Sequence, residues 1–205
     1  MPSTLSSITA LRTYAGEQGD ERVARRRQQL LDAALEVLGS SEGGALSVRG
    51  VCREAKLTAR YFYESFGSAD ELIAATYDRV IDEIMVGASD AFSRGSTITE
   101  RVREAVTAIV DVIDHDRRKG RLLFSPKLVS ATLAERRLAA TQHLAAITAK
   151  TTAGSHEARP VDVAGAYYRV GGLANLLAAW LDDRVEMTRS PLIDVCTALL
   201  LGERE

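Results

Sequence analysis

Apolar residues recur at steps of three and four along almost the whole chain and nowhere sustain the alternation of a strand. Leu30, Leu31, Ala34, Leu35 and Leu38 form one stripe on a first helix that starts at Val23 and ends in a Ser-Ser-Glu-Gly-Gly turn at 40–44. Two very short helices follow. Val48, Val51, Cys52 and Ala55 share a face of the first, with Ser47 as its N-cap. Phe62 and Phe66 share a face of the second, residues 59–66, with Thr58 as its cap, and Gly67 stops it. Ser68-x-x-Glu71 then has the form of a capping box and opens a long helix through Leu72, Ile73, Tyr77, Val80, Ile81 and Ile84. Helices of one or two turns do not persist alone in water, so the pair at 47–66 requires a packed three-helix unit. Phe62, Phe66 and Leu57 are expected to plug its core against Leu31, Leu35 and Leu38.

The remaining punctuation is equally regular. Thr97-Ile-Thr-Glu100 is a second capping box, and its helix is expected to run to Arg118-Lys119-Gly120. Ser125-Pro126 and Ser190-Pro191 each set an N-cap residue before a proline, predicting helices over 126–152 and 191–202. Pro160 begins a long apolar helix through Asp183. The pattern predicts an all-α chain of about nine helices. Three segments are expected: an N-terminal arm rich in Ser, Thr and Gly over 1–20, a DNA-binding-like three-helix domain over 21–67, and a larger helical domain over 68–205.

Composition changes this picture little. At 205 residues with 46% hydrophobic and 26% charged, the chain can bury a substantial core. No stretch reaches the roughly 18 apolar residues of a membrane span, and the N-terminus carries no secretory pattern, so a cytoplasmic protein without a membrane partner is expected. Cys52 and Cys196 have no CxxC spacing and read as buried thiols. The net charge is −2, but Arg22, Arg25, Arg26 and Arg27 form a sharp basic cluster before the first apolar stripe. Asp111, Asp114 and His115 share a helix face that could hold a metal with His143, though a solvated acidic helix end accounts for them better. HExxH, GxSxG and phosphate-loop motifs are missing from the sequence, so no catalytic residue, cofactor or metal is assigned.

The chemistry concentrates at LTARYFYESFGSADEL, residues 57–72, which holds four of the chain's aromatic residues. Two short helices with this turn and this apolar spacing make a helix-turn-helix, whose second helix lies in the DNA major groove. With Phe62 and Phe66 facing inward, Arg60, Tyr61 and Tyr63 occupy other faces of that helix. A phenol offers a flat apolar surface and a hydroxyl for a base edge or phosphate, and a guanidinium forks onto guanine. Arg49, early in the preceding helix, could reach a neighbouring base.

These residues resemble the DNA-binding signature of the TetR family of transcriptional repressors over about residues 22–80. Glu54-Ala-Lys-Leu-Thr58 is similar to the family's turn, Phe62-Tyr-Glu-Ser-Phe66 to its recognition helix, and Ser68-Ala-Asp-Glu-Leu72 to the start of its next helix. The resemblance implies that Arg49, Ala59, Arg60 and Tyr61 face bases, that Ser47, Tyr63 and Ser65 approach phosphates, and that Arg25, Arg26 and Arg27 clamp the backbone. Thr58 and Lys56 belong to the same surface. Three departures stand out. Lys56 replaces the turn glycine, so it must adopt a left-handed backbone or change the turn; it could add a phosphate contact. Ser65 replaces a histidine. Ala69 replaces a lysine, leaving the helix N-terminus at Ser68 to meet a phosphate alone.

One helix-turn-helix reads too few bases, so a homodimer on a palindromic double-stranded operator is expected. Val170, Ala174, Leu177 and Leu181 make one stripe of the 160–185 helix, and Val195 and Leu199 lie on an apolar face of the last helix; together they are the candidate dimer surface. The resemblance further implies a cavity for an unidentified, largely apolar small-molecule inducer. Its candidate lining is Tyr77, Met85, Ile109, Phe124 and Leu128, with His143, Tyr167, Tyr168, Asn175 and Trp180. The function so implied is a ligand-responsive repressor; a helical interaction module that keeps the fold without specific DNA binding is the alternative.

Overall fold

The computed structural model describes residues 4–40 and 45–202, with side chains from residue 20 onward. Among the described residues the chain forms nine α-helices and no strand. They are α1 (Thr4–Leu38), α2 (Val48–Glu54), α3 (Ala59–Tyr63), α4 (Ala69–Arg94), α5 (Ile98–His115), α6 (Arg117–Phe124), α7 (Ala131–Ala153), α8 (Pro160–Leu181) and α9 (Arg189–Leu201). α1 begins well before Val23, so most of the backbone of the expected arm is helical. No proline follows Pro2 in this stretch, and its Ala, Leu, Arg, Glu and Gln residues favour helix. The side chains of residues 1–19 and the turn expected at 41–44 lie outside the described residues.

Two apolar clusters organise the packing. Leu30, Leu31 and Ala34 of α1 meet Val51 and Cys52 of α2, Phe62, Phe66, and Leu72 of α4. Leu35 and Leu38, expected in that same cluster, instead join Ile73, Tyr77, Val80 and Ile84 of α4 in the larger core with α5, α6, α8 and α9. The stripe on α1 is long enough to serve both, its first turns facing α2 and α3 and its last turns facing the body. α1 and α4 therefore link the small unit to the large one through continuous helix.

Helix ends differ from the sequence reading where a side chain captures a backbone amide. The helix expected to reach Gly120 breaks at Asp116, whose carboxylate accepts from the amide of Arg118 at 3.1 Å and starts α6. Gly120 sits inside α6, where an added Cβ would lie 2.6 Å from Leu181 Cδ1 and 2.7 Å from Ile113 Cγ2. Ser125 ends α6 rather than starting α7; Ser130 caps α7, and Leu128 between them tucks into the large core. Thr188, not Ser190, is the residue before α9. The box at Thr97 is complete, with Glu100 reaching back to the Thr97 amide. At Ser68 it is shifted: Ser68 Oγ accepts from the Glu71 amide at 3.1 Å, while the Glu71 carboxylate accepts from the Gly67 amide at 2.7 Å. Both cysteines are free and buried. Burial pushes both thiols up, Cys196 to about 11.

Candidate nucleic-acid interface and effector cavity

The turn between α2 and α3 is set by backbone hydrogen bonding. Leu57 N donates to Cys52 O at 2.9 Å and Lys56 N to Arg53 O at 3.2 Å, the paired bonds of a Schellman ending. That ending needs a left-handed residue at its corner, and Lys56 supplies it with φ 55°. Of the two outcomes open to Lys56, the strained backbone is the one adopted, and its side chain is exposed. Ser47 Oγ accepts from Gly50 N at 3.1 Å and fixes the start of α2. Thr58 precedes α3 without a side-chain capping bond, so its exposed hydroxyl stays uncommitted. α3 ends at Tyr63, shorter than the expected 59–66, and the chain turns into Phe66 through Phe66 N donating to Phe62 O at 2.9 Å.

Phe62 and Phe66 are buried, at 0% and 2% exposure, and anchor α3 as expected. The opposite face is solvent-exposed: Arg49, Ala59, Arg60 and Tyr63, with Ser47, Lys56 and Thr58 beside them. Tyr63 is 61% exposed. Tyr61 is half-buried, with the Arg26 guanidinium 4.4 Å from its ring centre. Arg26 also donates to Glu64 Oε2 at 3.2 Å, and Arg60 Nε to Glu64 Oε1 at 3.2 Å. Arg27 lies over the Phe66 ring at 4.6 Å.

Two members of the basic cluster thus brace α3 against α1, and of Arg25, Arg26 and Arg27 only Arg25 is exposed. Ser65 is expected at a phosphate, but its hydroxyl oxygen is buried without a hydrogen-bond partner. At the α4 N-terminus the Gly67 amide is already taken by Glu71, and Asp70 stands in the same turn. Acidic side chains in this first turn offset the positive end of the helix dipole. Sequence reasoning missed Glu64, the acceptor shared by both arginines, and Arg53, an exposed cation on α2.

A cavity of about 220 Å³ lies in the helical body. Tyr77, Met85, Ile109, Phe124 and Asn175 line it, as expected. The other five candidates do not. Leu128 packs in the core below the α6–α7 loop, and His143 is exposed on α7. Tyr167 and Tyr168 are exposed on the outer face of α8. Trp180 is buried elsewhere, donating from Nε1 to Met187 O at 2.9 Å under Arg117. The sequence reading missed Arg137 and Leu144 of α7, and Leu173 of α8. Burial pushes the Tyr77 phenol up to about 12 and the Arg137 guanidinium down from its usual range.

The stripe of α8 expected at the dimer surface faces the chain's own interior. Val170, Ala174 and Leu177 line the cavity, and Leu177 and Leu181 lie in the chain's own core. They face inward because that side of α8 packs on α6 and α7. The outward side carries Tyr167, Tyr168, Gly171 and Gly172, which border a groove of about 440 Å³ with Leu199 and Leu200 of α9. Val195 is half-buried, while Leu199 is 60% exposed. Asp111 pairs with Arg189, and among the described residues no cluster of ligating side chains could hold a metal. No helix among them is long and apolar enough to cross a membrane.

This arrangement of helices is similar to that of solved structures. A TetR-like transcriptional regulator from Rhodococcus sp. RHA1 superimposes with a TM-score of 0.67 at 22% identity, covering 86% of this chain and 93% of that one. The chain has the fold of the TetR-family transcription regulators. FadR of Bacillus subtilis, solved in complex with stearoyl-CoA, shares the TetR fold with a TM-score of 0.67 at 14% identity over 87% of this chain and 99% of that one. In sequence, the chain is 31% identical over 121 residues to the HTH-type transcriptional activator FasR of Mycolicibacterium smegmatis, covering 58% of this chain and 55% of that protein. It spans about half the length of the curated relatives it matches. No protein-family model matches the sequence.

Proposed function

We propose that this chain is a DNA-binding transcriptional regulator, a cytoplasmic homodimeric repressor that reads a palindromic operator and releases it when a small molecule fills the body. The observation that carries the reading is the exposed α3 surface of Arg60, Tyr63, Ala59 and Thr58, held rigidly by Phe62 and Phe66 beneath it. Residues 21–67 form the DNA-reading unit and residues 68–205 the effector and dimerisation body. Arg49, Ala59 and Arg60 read bases; Ser47, Lys56, Thr58, Tyr63 and Arg25 hold phosphates. Tyr61, Arg26 and Arg27 support the unit from inside, with Tyr61 keeping one edge toward the groove.

The second copy covers the outward face of α8 and α9, where Tyr168 is 82% exposed and nothing stands within 4 Å of a Cβ added at Gly171 or Gly172. Small residues there let helices from two copies approach closely, forming a four-helix bundle. Release is a population shift transmitted by α6. Leu123 and Phe124 at its end line the cavity, while Arg118 is ion-paired to Glu36 and Arg121 Nη1 donates to Gly39 O at 3.3 Å. A ligand that displaces Phe124 would thereby tilt α1 and change the spacing of the two α3 helices. FadR of Bacillus subtilis, which superimposes on this chain, was solved in complex with stearoyl-CoA, which supports a ligand-responsive reading.

Selection of bound sequences from a random duplex library tests the reading. Enrichment of an inverted repeat supports it, and recovery of no preferred sequence favours an interaction module instead.

A further inference from the structure

Arg137 is the one charged residue among those lining the cavity, and no carboxylate pairs with it among the described residues. Its Nη2 donates to Leu122 O at 2.8 Å and its Nη1 to Leu128 O at 3.4 Å, which fixes the guanidinium plane. Its Nε is buried with no partner. A guanidinium held by two carbonyls and flanked by Ile109, Leu144 and Leu173 keeps its charge in apolar surroundings, a costly arrangement unless an anion completes it. Tyr77, buried on the facing helix α4, adds a neutral phenol donor to the same cavity. The other polar groups are partly committed: the Thr141 hydroxyl donates to Arg137 O at 2.8 Å, and the Asn175 amide to Gly171 O at 3.0 Å.

We propose that the cavity binds a monocarboxylate amphiphile, its carboxylate on Arg137 and its apolar body among the side chains of α5, α7 and α8. One fixed guanidinium matches one negative charge, so a dianionic head is disfavoured. At roughly 30 Å³ per water-sized unit, the 220 Å³ of space fits a chain of medium length. The inference deepens the effector role given above and rests on it for its biological meaning, though not for its chemistry.

Calorimetric titration of the full chain, without DNA, with octanoate, octanol and octylamine tests it. Octanoate is expected to bind roughly tenfold to a hundredfold more tightly than octanol, with octylamine weakest. Arg137→Met is expected to bring octanoate to the octanol level while leaving octanol unchanged, and Arg137→Lys to recover part of the difference. Equal binding of octanoate and octanol, binding of none of the three, or wild-type octanoate binding by a folded Arg137→Met variant overturns the proposal. Should Arg137→Met fail to fold through loss of its carbonyl bonds, the three-ligand comparison on the unaltered chain still decides. Octanoate binding that leaves a DNA complex intact would uphold this site and refute the inducer reading.

Discussion

Lys56 occupies the left-handed corner of the turn between α2 and α3, a position where glycine would carry no strain. Lys56→Gly is expected to stabilise the chain by about 1 kcal/mol, read as a rise in the thermal midpoint. The same change removes one exposed cation from each subunit, so operator affinity is expected to fall and the salt dependence of a dimer to become shallower by about two units of slope. Under the proposed function, Arg60 reads bases and Tyr63 holds a phosphate. Arg60→Ala should relax discrimination at one base position by about 1–3 kcal/mol, whereas Tyr63→Phe should weaken all sequences alike; competition titrations against single-base variants check both. The residue scale is also where the sequence was least legible. The local pattern showed Phe62 and Phe66 facing inward, because a period of 3.6 within one helix decides that. That Arg26 of α1 lies on Tyr61 and reaches Glu64 depends on α1 packing against α3, which local spacing does not encode; the Arg60–Glu64 pair, four residues apart, was within its reach.

At the scale of elements, α6 lies between the cavity and the end of α1. Gly39 meets it so closely that an added Cβ would lie 2.7 Å from the Arg118 Cα. Gly39→Ala must therefore push α1 from α6, and it is expected to change operator affinity while the small cluster of Leu30, Val51, Phe62 and Phe66 stays folded. Anisotropy for DNA and near-ultraviolet dichroism for packing distinguish this from general unfolding. Asp116 organises the same junction: hydrogen bonds from Arg118 hold its carboxyl below the usual range. Helix existence was readable from apolar spacing throughout, but this junction was not. Asp116 breaks a continuous apolar stripe with one side-chain-to-amide bond, and the stripe itself gives no sign of the break.

For the whole molecule, the two faces of α8 carry the division of labour. Both are apolar enough to be buried, so the sequence could not tell inside from outside; packing on α6 and α7 turns Val170, Ala174 and Leu177 inward and leaves Tyr168 and Gly172 outside. Leu199→Arg is expected to convert the dimer to monomer in sedimentation while the helical content stays unchanged, because Leu199 is exposed in the single chain. A monomer would lose affinity for a full palindrome and retain weak binding to a half-site.

The most direct test of the central claim is fluorescence anisotropy of the purified chain titrated against the palindromic DNA nearest its own gene, repeated across salt concentrations. The account predicts tight binding whose logarithm falls linearly with the logarithm of salt, with a slope near the number of phosphates neutralised by the cations of two α2–α3 units. Binding that is absent at low salt, or that does not change with salt, would contradict it.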